Sequence, residues 1–108
     1  MRAWLYLAAA IVLEVAATFL LKLSDGFEKV HWGVASMALY SGCFWVLAPA
    51  LKTIPVGVAY AIWAGVGIAA AALIGLIAFG ERLGPLQLAF MTLIVAGAVG
   101  LRLTTAAE

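Results

Sequence analysis

The sequence is poor in charged residues. Of its 108 residues, 10% are Asp, Glu, Lys or Arg and 68% are hydrophobic, whereas a soluble domain is about 25% charged and about 45–50% apolar. This shortage of charge excludes a soluble globular protein. The formal net charge of +1 is also too small to indicate a nucleic-acid partner.

Reactive side chains are equally scarce. Cys43 is the only cysteine and His31 the only histidine, so the chain cannot form an intramolecular disulfide. The sequence offers no cluster of metal ligands and no pairing of a nucleophile with a base. We therefore expect no enzymatic activity, no metal and no other cofactor.

What the sequence has instead is long apolar runs. Four of them lie between the charged residues, and each is near or above the roughly 20 residues that cross a bilayer as a helix. They do not alternate as barrel strands do. The sequence thus predicts an all-α membrane protein in which residues 1–108 form a single domain. The four predicted transmembrane helices span residues 3–22, 31–51, 55–79 and 85–103.

One carboxylate interrupts the first apolar run. Glu14 lies in its middle, and a charge at bilayer depth costs roughly 3 kcal/mol on insertion scales, so an ionisable residue there indicates a functional site. Its neighbours on the same helix face are the small residues Ala10, Ala17 and Thr18. They predict a recess around the carboxylate, although small residues also allow close helix packing.

Three aromatic residues inside the second and third predicted helices are candidate walls for such a cavity. They are Tyr40, Tyr60 and Trp63, and the last two share a helix face because they are three residues apart. Their rings could contact a cation, and the phenols could donate to a carboxylate. Anchoring at the membrane interface or contact with lipid is the alternative interpretation.

Small residues mark the third and fourth helices. Gly65 and Gly67 would weaken the third helix, which indicates either a hinge or close packing. Ala96, Gly97 and Gly100 give the fourth helix a small-residue face that suits contact with another helix.

The positive charges do not favour one orientation in the membrane. With four spans, three of them fall on each side: Arg2, Lys52 and Arg102 on one, and Lys22, Lys29 and Arg82 on the other. The positive-inside rule then gives a tie. Either the chain inserts in both orientations, or other determinants decide. Because one short four-helix chain cannot both surround Glu14 and hide it from lipid, we expect at least a dimer.

Several stretches resemble the small multidrug resistance transporters, and the similarity spans essentially the whole chain. The pattern around Thr18 is similar to the branch that exports drugs and quaternary ammonium compounds. The stretches that carry the resemblance are Glu14-Val15-x-x-Thr18-x-x-Leu21-Lys22, Tyr40 and Tyr60-Ala61-Ile62-Trp63-x-Gly65-Val66-Gly67.

The resemblance implies an antiparallel homodimer of dual-topology chains in the bacterial inner membrane. Glu14 would bind proton and substrate, the three aromatic residues would line the substrate site, and the two glycines would mark a bend in helix three. The small face of helix four would supply the dimer contact. Ala10 and Ala64, expected to line the cavity, stand where the family often has glycine and a hydroxyl residue. Phe90 stands where its fourth helix tends to be small.

We therefore expect a proton-coupled antiporter that exports lipophilic, quaternary ammonium and other toxic organic cations. Proton and cation would compete for Glu14, which couples their movements if the cavity alternates its opening. The alternatives are an exporter of guanidinium, polyamine or lipid with the same fold, or a non-transporting membrane subunit. The expected partners are a second copy of the chain, protons, small organic cations and the lipid bilayer, and not nucleic acid.

The charge tie predicts the effect of added lysines. Two lysines placed near the C-terminus raise that side to five cationic residues against three. We expect a single orientation with the C-terminus cytoplasmic, and loss of export unless an oppositely oriented copy is co-expressed. Cysteine labelling at a tail site and a first-loop site, in a Cys43→Ala background, measures the orientation. Labelling of the unmodified protein from one face alone would contradict dual topology.

Overall fold

The computed structural model describes residues 2–105, which form four helices joined by short loops. The helices are α1 (Arg2–Leu23), α2 (Val30–Ala50), α3 (Val56–Ala78) and α4 (Pro85–Thr104). Each is long and apolar enough to cross a membrane, and each begins and ends within one residue of its predicted bounds. At 1.5 Å per residue they span roughly 30–35 Å, which matches the hydrocarbon core of a bilayer.

The α1–α2 interface is held by small residues and by polar side chains that reach the backbone. Ala10 and Ala17 are fully buried there. The Cys43 thiol donates to the Ala10 carbonyl at 3.2 Å, and the Ser36 hydroxyl donates to the Ala17 carbonyl at 2.8 Å. Since apolar burial does not drive helices together in lipid, close approach and interhelical hydrogen bonds stabilise this pair.

This interface corrects one prediction. Ala10 and Ala17 were expected to line the cavity around Glu14, but both face α2 and neither borders that cavity. The physical reason is that a methyl side chain lets the neighbouring backbone approach, and here the approaching helix fills the recess. Their carbonyls thereby come within reach of donors on α2.

The α3–α4 interface depends on Gly65. A Cβ atom added at this position would lie 2.6 Å from the Cβ of Ala98 and 3.3 Å from the carbonyl oxygen of Ile94. Within α4, Ala98 is the buried residue, and the rest of the helix is largely uncovered. The α3 helix continues without interruption through Gly65 and Gly67. The bend expected at these glycines stays a prediction.

Cationic residues lie at both ends of the bundle, as four spans require. Arg2 and Lys52 line one cavity, and the Arg102 guanidinium lies 4.4 Å from the centre of the Trp4 ring. These groups share one end of the bundle. Lys22, in the last turn of α1, lies at the other end.

The close approach at Gly65 predicts that a larger residue there separates α3 from α4. Gly65→Val should lower the free energy of unfolding by about 1–3 kcal/mol, the usual cost of overpacking. Gly57→Val is the matched control, because a Cβ at Gly57 has no atom within 4 Å and its helix is the same. Denaturant unfolding in mild detergent measures the difference. Equal destabilisation by both variants would mean that Gly65 is not a packing residue.

Candidate functional site

Glu14 faces α3 across a cavity of about 270 Å³. Its carboxylate is partly buried and lies near the middle of α1, at membrane depth. The other lining residues all come from successive turns of α3: Tyr60, Trp63, Ala64, Gly67, Ile68 and Ala71. The sequence-predicted residues Tyr60, Trp63 and Ala64 are therefore brought together with Glu14.

Gly67 gives the carboxylate its space. A Cβ atom added at Gly67 would lie 3.0 Å from Oε1 of Glu14, closer than ordinary van der Waals contact. The glycine thus lets Glu14 approach the backbone of α3. The sequence left a hinge and close packing between helices as alternatives at Gly67. The structure shows Gly67 packed against the Glu14 carboxylate.

Two hydroxyl groups connect Glu14 to α2. The Thr18 hydroxyl donates to Oε2 of Glu14 at 3.0 Å, and the Thr18 oxygen lies 2.7 Å from the Tyr40 hydroxyl oxygen. A threonine hydroxyl carries a single hydrogen, so Tyr40 is the donor when Thr18 donates to an ionised Glu14. The three groups therefore form a directed chain of hydrogen bonds when Glu14 is ionised.

The aromatic side chains of Tyr60 and Trp63 form one wall of the cavity. The Tyr60 and Trp63 ring centres are 5.8 Å apart with an interplanar angle of 76°. Phe44 on α2 contacts Trp63 at 5.8 Å and 79°. Trp63 is therefore held by edge-to-face contacts on two sides, each worth about 0.5–1.5 kcal/mol beyond area burial. The contact of Phe44 with Trp63 was not predicted from the sequence, although Phe44 lies one helical turn after Tyr40.

The small face of α4 lies away from this site. Ala96, Gly97 and Gly100 are exposed, and a Cβ added at either glycine meets no atom within 4 Å. The face is therefore available to another helix, and its role as a dimer contact stays a prediction.

The sequence profile described as "Small Multidrug Resistance protein" matches residues 2–94. The chain belongs to the small multidrug resistance family. It is accordingly a multi-pass transport protein of the bacterial inner membrane, as the four apolar helices indicate and as the resemblance implied.

Curated members of the small multidrug resistance family align with nearly all of the chain. The spermidine export protein MdtI of Klebsiella pneumoniae (strain 342) is 46% identical over 91% of this chain and 90% of its own length. MdtI of Salmonella paratyphi A (strain ATCC 9150 / SARB42) is 47% identical over 90% of this chain and 87% of its own. The nicotine metabolites export pump subunit NepB of Paenarthrobacter nicotinovorans is 41% identical over 97% of this chain and 63% of its own.

The hydroxyl chain predicts a graded loss of stability. Thr18→Val removes the direct donor to Glu14, and a hydrogen bond to a charged group contributes about 1.5–3 kcal/mol. We expect the free energy of unfolding to fall by about this amount. Tyr40→Phe removes a bond one step further away and should have a smaller effect.

Denaturant unfolding in mild detergent measures both changes. Thr92→Val is the matched control, because its hydroxyl donates to the carbonyl of Leu88 on the exposed α4. Equal effects of Thr18→Val and Thr92→Val would contradict the role of Thr18.

Proposed function

We propose that the chain is a proton-coupled antiporter that exports polyamines and related small aliphatic amines. The observation that carries this proposal is the Glu14 carboxylate, which lies at membrane depth and faces a cavity walled by Tyr60 and Trp63. The proposal changes the expected cargo. The pattern around Thr18 favoured quaternary ammonium compounds, with polyamines as an alternative.

The relatives support this change of cargo. Curated proteins that are 46–47% identical to this chain carry the name spermidine export protein, and they align over nearly their whole length. Their printed names fit the polyamine alternative better than the drug-exporting branch indicated by the pattern around Thr18.

The cavity suits a slender aliphatic ammonium ion. A primary or secondary ammonium can donate hydrogen bonds to Glu14, and such charge-assisted bonds are the strong ones. The rings of Tyr60 and Trp63 offer cation–π contacts of about 0.5–2 kcal/mol. Ala64 and Gly67 add no bulky side chain to the lining of this cavity of about 270 Å³.

Competition for one carboxylate supplies the coupling. The ionised form of Glu14, which can accept the hydrogen bond from Thr18, is the form that attracts a cation. A proton on Glu14 removes that attraction. If the cavity opens alternately to the two sides, protons and cations move in opposite directions without a separate coupling site.

A second chain would complete the cavity. Tyr60 is 67% exposed although it lines the site, and the small face of α4 is uncovered. We propose an antiparallel homodimer in which a second copy encloses Glu14 and packs on α4. The name of the relative NepB describes a pump subunit, so a related but different chain is the alternative partner.

Quaternary ammonium export is the second candidate. It is favoured by the exposed Tyr60 ring beside Trp63, because a quaternary ammonium donates no hydrogen bond and binds mainly through aromatic faces. Uptake of spermidine and of tetramethylammonium by inverted vesicles separates the two candidates. Polyamine export predicts proton-driven uptake of spermidine at concentrations where tetramethylammonium is not transported.

Replacing Glu14 tests the coupling. Glu14→Gln should abolish proton-driven uptake of spermidine and proton release on binding, because the carboxylate is the group for which proton and cation compete. Glu28→Gln is the matched control, since Glu28 is an exposed loop residue that should leave both readouts unchanged. Proton-driven transport by folded Glu14→Gln protein would overturn the mechanism.

A further inference from the structure

A second carboxylate meets an ammonium group and aromatic rings further along the same helices. The Lys22 Nζ lies 2.9 Å from Oε2 of Glu81 and 5.8 Å from the centre of the Phe79 ring. The Phe19 ring lies 5.5 Å from that of Phe79. This cluster therefore combines a carboxylate with aromatic faces, as the Glu14 cavity does.

The backbone at the end of α3 fixes the position of Glu81. Gly80 has φ +64°, which L side chains rarely adopt, and the chain turns back at this residue. The backbone N–H of Glu81 then donates to the carbonyl of Gly75 at 3.0 Å. The Glu81 carboxylate occupies the space that a side chain at Gly75 would need. Two glycines thus hold this carboxylate against α3.

The Glu81 carboxylate borders a cavity of about 180 Å³ between α1 and α3. This cavity adjoins the one at Glu14, because Ala71 lines both. Thr18, which hydrogen-bonds Glu14, also lines it. Lys22 follows Glu14 by eight residues, which corresponds to a rise of about 12 Å along α1. An extended triamine has a comparable length.

We propose that Glu81 and Phe79 form a second ammonium subsite, which the side chain of Lys22 occupies in this structure. Lys22 carries a primary ammonium on four methylenes, the same group that ends a polyamine. This inference rests on the proposed function. With one substrate ammonium at Glu14, the far end of the polyamine displaces Lys22 from Glu81.

The Lys22–Glu81 pair is weak enough to be displaced. The two side chains are 55% and 48% exposed, and ion pairs with such exposure contribute little to stability. The released lysine can extend its ammonium to the membrane interface, as lysines near helix ends do. Once one ammonium of a polyamine is bound at Glu14, its other end is already held near Glu81. The second ammonium therefore needs no separate encounter from solution.

The test compares a ligand that can span both carboxylates with one that cannot. Spermidine is the long probe and trimethylenediamine the short one, and calorimetry on the full chain in detergent gives their affinities. We expect wild-type protein to bind spermidine about two- to fivefold more tightly than the diamine, because the second ammonium forms a solvent-exposed ion pair with Glu81. Glu81→Gln should remove this difference, whereas the matched control Glu28→Gln should keep it. Persistence of the full difference in Glu81→Gln would overturn the subsite.

Two further variants address the same site without changing Glu81. Gly75→Ala adds a Cβ where the carboxylate lies and should reduce the spermidine advantage. Gly57→Ala is its control in the same helix, at a position with open space. Lys22→Met removes the competing ammonium and should strengthen spermidine binding more than diamine binding. Equal changes for both ligands would indicate a structural role for the Lys22–Glu81 pair instead.

Glu14→Gln separates this inference from the proposed function. If wild-type protein binds neither amine, or if Glu14→Gln keeps normal binding of both, the proposed function is wrong. If Glu14→Gln loses both ligands while Glu81→Gln still prefers spermidine to the same extent, the proposed function stands and the second subsite is wrong.

Discussion

A single carboxylate at bilayer depth is the constraint on which the rest of this structure depends. Leaving Glu14 in contact with hydrocarbon would cost several kcal/mol, so the surrounding helices must supply donors and space. Thr18 donates a hydrogen bond to Glu14, and Tyr40 on α2 hydrogen-bonds Thr18. Gly67 has no side chain that would clash with the carboxylate. The helices α1, α2 and α3 each contribute one of these three residues.

Small residues in this chain act in two ways. Ala10, Ala17 and Gly65 let helices approach each other. The carbonyls of Ala10 and Ala17 accept hydrogen bonds from α2, and Gly65 lies against a methyl group and a carbonyl group of α4. Gly67 and Gly75 instead leave room for carboxylates that approach α3. In a bilayer the first group replaces the hydrophobic effect as the source of helix association. The second group lets charged side chains lie against a helix backbone.

The helix bounds could be predicted closely because they depend only on the order of apolar and charged residues along the chain. An apolar run that ends at charged and turn residues fixes both the number and the length of the spans. Tyr60, Trp63 and Ala64 line the same cavity as Glu14; spacing along α3 indicated only that Tyr60 and Trp63 share a face. Their role in binding remains a proposal. The rotation of each helix was harder to predict.

Rotation is poorly encoded because lipid-facing and protein-facing surfaces are both apolar. Ala10 and Ala17 lie beside Glu14 by spacing, yet they face α2, and no periodic pattern in the sequence distinguishes that face. Phe44 was missed for the same reason. The partner of Gly75 could not be predicted, because Glu81 reaches it only after the chain reverses at Gly80.

The chain of hydroxyl groups also carries information about charge from one helix to another. Each hydroxyl has one hydrogen, so a protonated Glu14 that donates to Thr18 obliges Thr18 to donate to Tyr40. The Tyr40 hydrogen, bonded to Thr18 while Glu14 is ionised, must then turn towards a different acceptor. The phenol on α2 therefore acts as an indicator of the charge on α1 even when neither helix moves. The vibrational frequency of its O–H group would therefore report whether Glu14 is protonated.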